Sequence, residues 1–107
     1  MITKDEAKRI YTNLKRRKKK DEIDEKVLSV LTNTIMPSLR KYDCMMVIGN
    51  DTLDFLTKDG IKRLKEYGFR FFKYSKYSEC VWNDDSSLIN MCRNLNIFNL
   101  GSYLGEI

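Results

Sequence analysis

A chain of 107 residues supports one domain around a single core, and 42% hydrophobic with 33% charged residues excludes a disordered tail-like protein. No apolar run approaches the ~20 residues of a bilayer span, and the start MITKDEAKRI lacks an apolar signal core. The net charge of +5 is local: residues 1–20 hold nine Lys/Arg and two Asp/Glu, net +7, while residues 21–107 hold eleven and thirteen, net −2, unlike a uniformly basic nucleic-acid coat protein. Three widely spaced cysteines suit a reducing compartment, so the expected location is cytoplasmic.

Thr3 followed by Glu6 reads as a capping box, and Ala7, Ile10, Tyr11 and Leu14 form one apolar stripe, predicting a first helix over residues 4–16. The run Lys15–Lys20 (KRRKKK) follows, and six adjacent cations repel one another, so it marks a helix end or a solvated turn. Asp21 caps a second helix whose stripe is Ile23, Val27, Val30, Leu31, Thr34 and Ile35. Pro37 predicts a stop or kink near Ile35–Met36.

Cys44–Ile48 (CMMVI) reads as a strand covered on both faces. Residues 49–56 read as a connection in which Leu53, Phe55 and Leu56 tuck against the core. Thr57 then caps a third helix with Ile61, Leu64 and Tyr67 inward and Gly68 as a left-handed stop. From Phe69 to Trp82 the pattern is a hairpin. A turn centred on Lys76-Tyr77 sets Phe71 opposite Trp82 and Phe72 opposite Val81. One sheet face then carries Phe69, Phe71, Cys80 and Trp82, a core face. The other carries Arg70, Phe72, Tyr74, Glu79 and Val81, which suits a covering helix or a working surface. Leu88, Ile89, Cys92 and Leu95 fit a fourth helix after an Asp84–Ser87 cap, and the tail NIFNLGSYLGEI lies against the domain.

Several chemistries are missing. With no histidine, the chain lacks the commonest general base, the usual zinc nitrogen ligand and the Ser-His-Asp triad. The cysteines at 44, 80 and 92 have no C-x-x-C spacing, and no phosphate-binding glycine motif is present. Asp51, Asp54 and Asp59 are explained by a polar loop and a helix first turn rather than a metal. The expectation is a non-enzymatic protein without cofactor or metal. Candidate binding residues are Lys8, Arg9, Lys15, Arg16, Arg17, Lys18, Lys19 and Lys20, which suit nucleic-acid phosphates or an acidic protein surface. The competing reading is a solvated helix end answered by Asp21, Glu22, Asp24 and Glu25. A second candidate surface is Arg70, Phe72 and Tyr74, aromatics beside a cation on a sheet.

The strand Cys44–Ile48, the helix end and strand start Leu64-Lys65-Glu66-Tyr67-Gly68-Phe69, and the strand Glu79–Trp82 together resemble the element pattern of small α/β proteins of tailed bacteriophages. That resemblance covers about half the chain and implies a phage- or virus-encoded protein that binds and inhibits a host protein or nucleic-acid machine, for example a defence system.

The predicted architecture is a single α+β domain of order ααβαββα with a three-stranded mixed sheet packed by helices. It divides into a helical part (1–42), a β-α-β-β unit (43–83) and a C-terminal helix and tail (84–107). The Cys44–Ile48 strand runs parallel to Phe69–Tyr74 if the two are neighbours. The expected function is binding of nucleic acid, or of a protein that processes it, through the basic junction; the alternative is a protein–protein inhibitor or complex subunit using the sheet face or the tail.

Overall fold

The computed structural model describes residues 2–83 and 100–107. In chain order the elements are α1 (Lys4–Arg16), α2 (Glu22–Val30), a π-helical turn (Leu31–Ile35), α3 (Met36–Leu39), β1 (Met45–Gly49), α4 (Asn50–Tyr67), β2 (Arg70–Tyr74), β3 (Tyr77–Val81) and β4 (Tyr103–Glu106). The predicted fourth helix at Leu88–Leu95 lies outside the described residues.

Capping chemistry sets the N-terminal elements. The Glu6 amide donates to Thr3 Oγ1 at 3.1 Å, as a helix start requires. The Glu6 carboxylate closes on the Thr3 hydroxyl (3.3 Å) rather than on the Thr3 amide. The full reciprocal box is at α2: the Asp24 amide donates to Asp21 Oδ1 (2.7 Å) and the Asp21 amide to Asp24 Oδ2 (3.3 Å). Pro37 does not stop the helix at Ile35–Met36. The Met36 amide bonds Leu31 O across the wide π turn, and Pro37 stands at the start of α3, where its missing donor costs little, so the helical path ends at Leu39 instead.

The sheet corrects the predicted fold. It has four strands rather than three, in the order β1-β3-β2-β4, and every pairing is antiparallel rather than mixed. β1 and β2 do run in the same direction, joined by α4, but β3 lies between them, so no parallel pair forms. The fourth strand comes from the tail. Its apolar residues show no two-residue alternation, and Gly101 (φ 84°) and Gly105 (φ 118°) hold backbone shapes that read from sequence as loop.

The hairpin register also differs from expectation. Phe71 pairs with Cys80 and Phe72 with Glu79, two residues from the predicted partners, because the turn is Ser75-Lys76 rather than Lys76-Tyr77. That turn is clamped by the tail: the Ser75 amide donates to Ser102 O (2.9 Å) and the Lys76 amide to Leu100 O (2.9 Å). A Cβ on Gly101 would collide with the Ser75 hydroxyl and crowd the Lys76 backbone, so glycine is required there. A two-residue displacement leaves every side chain on its original face, and the predicted core face stands.

Phe69, Phe71, Cys80 and Trp82, with Met46 and Ile48 of β1, pack against Ala7, Leu14, Val27, Leu31, Ile35, Leu56 and Leu64 of the helices. Burial pushes the Cys80 thiol far up from its ordinary value, leaving it neutral. The Trp82 indole satisfies its one donor on Asp43 O at 3.1 Å. A smaller cluster of Cys44, Met45 and Val81, with Phe72 against it, is separate from this core.

The segment before Thr57 is helical rather than a connection, because α4 begins directly at Asn50. Asn50 is anchored by the Ser78 hydroxyl, which donates to its Oδ1 at 2.5 Å. Leu53 and Leu56 are buried as expected, but Phe55 is 47% exposed. Thr57 marks a break within α4, with φ 62° and ψ 175°, a conformation that penalises a β-branched residue. Gly68 ends the helix at φ 116°, as its position predicts. Thr57→Gly should therefore raise stability by about 1 kcal/mol despite the added unfolded-chain freedom, read as a higher thermal midpoint; a lower midpoint would show that Thr57 is not strained.

Candidate functional site

α1 is a peripheral helix. It sends Ala7 and Leu14 fully into the core and Ile10 and Tyr11 partly, on one side of its circumference. At about 100° per residue, Arg9 and Arg16 fall on the opposite arc and Lys8 and Lys15 on the flank next to Tyr11, and all four are exposed. Lys18 and Lys19, in the link to α2, are exposed as well. Lys15 keeps its ammonium 5.6 Å from the centroid of the Tyr11 ring, whose hydroxyl receives a hydrogen bond from Thr32 (3.3 Å).

The other two cations of the predicted cluster have structural partners. Arg17 donates to Asp24 Oδ2 at 3.2 Å, and Lys20 donates to Arg17 O at 2.8 Å. Asp24 is buried, and its other oxygen accepts from Arg63 of α4 at 2.8 Å; Arg63 also reaches Asp21 at 2.9 Å. The Asp24 amide, and then the Arg63 guanidinium, hold the Asp21 carboxyl below its ordinary range, while hydrogen bonds to Asp21 and Asp24 raise Arg63 further. Glu22 faces Lys26 at 4.0 Å. Of the acids after the basic run, Asp21 and Glu22 are committed elsewhere, and Asp24 meets the run only at Arg17. Among the described residues, Lys8, Arg9, Arg16, Lys18 and Lys19 have no ion-pair partner.

The second predicted surface is occupied by the chain's own tail. Arg70 grips Glu106 of β4 through two hydrogen bonds, 2.9 and 2.8 Å, and its guanidinium carbon lies 5.0 Å from the centroid of the Phe72 ring. Arg70 in turn holds the Glu106 carboxyl below its ordinary range. The Tyr74 ring meets Tyr103 in a tilted contact, with centroids 5.2 Å apart and planes at 59°. Sequence reasoning missed these partners because they lie some thirty residues away with no local signal.

It also missed a shallow groove of about 240 Å³ between Ser29, Asn33 and Thr34 on one side and Asp51, Thr52 and Phe55 on the other. Lys26 lies 5.8 Å from the centroid of the Phe55 ring. Among the described residues, no group of three or more His, Cys, Asp or Glu is placed to hold a metal ion, and no helix is long and apolar enough to cross a membrane.

No protein-family model, curated protein or solved structure matches the chain.

Removing Arg63 leaves the buried Asp24 short of a partner, so Arg63→Met should destabilise the fold by about 2 kcal/mol in denaturant unfolding. Asp21 has a lowered folded pKa, so its contribution is present above its ordinary value and lost as pH falls through the folded one. Below about pH 4 the wild type should lose stability more steeply than Arg63→Met. Parallel acid profiles for the two proteins would show that the network carries no such linkage.

Proposed function

We propose that the protein is a non-enzymatic binding module that engages nucleic acid, or the acidic surface of a protein that processes it, through the exposed cations of α1 and its link. The observation that supports this reading is the uncompensated charge. The neighbouring Asp21 and Asp24 neutralise Arg63 and Arg17, not Lys8, Arg9, Arg16, Lys18 or Lys19. A solvated helix end answered by the following acids would have paired more of the run than Arg17, the one cation of it that meets such an acid among the described residues. The site is narrower than the sequence run: Arg17 and Lys20 hold the fold, and six cations remain for a partner. A phage- or virus-encoded origin, with a host machine as target, is part of this proposal through the sequence resemblance alone.

Replacing Lys8, Arg9, Arg16, Lys18 and Lys19 together by Ser or Gln, with Arg17 and Lys20 kept, should leave the circular-dichroism spectrum intact. Binding to heparin or nucleic acid should fall sharply, with the log–log salt slope on duplex DNA flattening by about 4.5 at about 0.9 per lost contact. An unchanged salt slope would sink the reading.

A second reading, a protein–protein inhibitor or complex subunit, is favoured by Tyr103 (57% exposed) and Leu104 (60% exposed) on β4, with the cations as solvation only. On that reading Tyr103→Ser with Leu104→Ser abolishes capture of a protein partner from host lysate, while the α1 variant captures it normally. The reverse pattern in the same pull-down removes this alternative.

A further inference from the structure

The charge on α1 has a shape. Successive residues turn by about 100°, so Lys8 and Lys15 form one row and Arg9 and Arg16 a second row about 100° around the helix. Within each row the cations are seven residues apart, about 10 Å along the axis. Thr12 sits in the channel between the rows, and Ala7, Leu14, Ile10 and Tyr11 occupy the side turned to the core.

Resting on the polyanion reading above, we propose that α1 enters the major groove of B-form duplex DNA. An α-helix with side chains is about 10–12 Å across, and the groove is about 12 Å wide. In that position the Lys8/Lys15 row faces the phosphates of one strand and the Arg9/Arg16 row those of the other. Lys18 and Lys19 continue the contacts along one backbone beyond the helix end. The residues directed at the groove floor are Thr12 and, near the helix start, Asp5, neither of which makes the bidentate base contacts of Arg, Asn or Gln. Recognition is therefore of the backbone, with little dependence on sequence.

Two competing nucleic acids fit less well. Double-stranded RNA has a major groove too deep and narrow for a helix. Single strands are held on aromatic platforms interleaved with cations, and α1 offers none: its one aromatic, Tyr11, is half-buried against the core beside Lys15. Among the described residues, the exposed rings Tyr42, Phe55, Tyr77 and Tyr103 belong to other parts of the chain.

The test is fluorescence anisotropy on the full chain, against two unrelated 20-base-pair DNA duplexes, one of their single strands, an RNA duplex of the same length, and heparin. Duplex DNA should bind about tenfold or more tighter than single strand or RNA duplex, with the two DNA sequences within about threefold of each other. Thr12→Glu, which puts a longer anionic side chain in the channel, should weaken duplex DNA about tenfold with an unchanged circular-dichroism spectrum. Equal or tighter binding to single strand or RNA duplex, or full duplex affinity in Thr12→Glu, overturns the groove assignment while leaving polyanion binding intact. Failure to bind any of the probes, heparin included, removes both.

Discussion

A buried carboxylate organises the helical half of this protein. Asp24 in the interior is tolerable only if its oxygens are satisfied, and they are satisfied from three sides: the Asp21 amide, Arg17 from the link, and Arg63 from α4. One side chain therefore fixes where α2 begins, where the link out of α1 turns, and how α4 lies across α2. It also determines the surface charge. By binding Arg17 and sharing Arg63 with Asp21, it leaves Asp21 and Asp24 out of contact with Lys8, Arg9, Arg16, Lys18 and Lys19.

The sheet obeys a similar economy at its other end. β3 is flanked by β1 and β2, and the hairpin joining β2 to β3 is closed by Ser75-Lys76, a pair with no strong turn preference of its own. What holds the pair is the backbone of residues 100–102, which accepts both turn amides while the Ser102 amide donates to Ser75 Oγ at 2.8 Å. The tail then runs back as β4, fastened by Arg70–Glu106 and the Tyr74–Tyr103 contact. The fourth strand and the hairpin register are two results of one clamp.

That coupling explains which parts were legible in the sequence. Local grammar was sufficient for α1, the Asp21 cap, the Gly68 stop and the inward face of Phe69, Phe71, Cys80 and Trp82, because each depends on residues a few positions apart. The register slipped by two because the turn is held from residues 100–102. The start of α4 at Asn50 was obscured by Gly49-Asn50-Asp51, which reads as loop when the Ser78 hydroxyl is unseen. The candidate site shows the same division: the basic run was plain, but the structural roles of Arg17 and Lys20, and the engagement of Arg70 and Tyr74 by the tail, depend on contacts that no spacing rule reports.

Cys80 lies on β3, one of the two interior strands, buried and with its thiol held neutral. A soluble thiol reagent reaches it only when β3 separates from its neighbours or from the helices beneath. Its chemistry is therefore a clock for sheet opening. Labelling at Cys80 against time, under conditions where reclosing outpaces the reagent, measures the free energy of exposing the middle of the sheet without any denaturant.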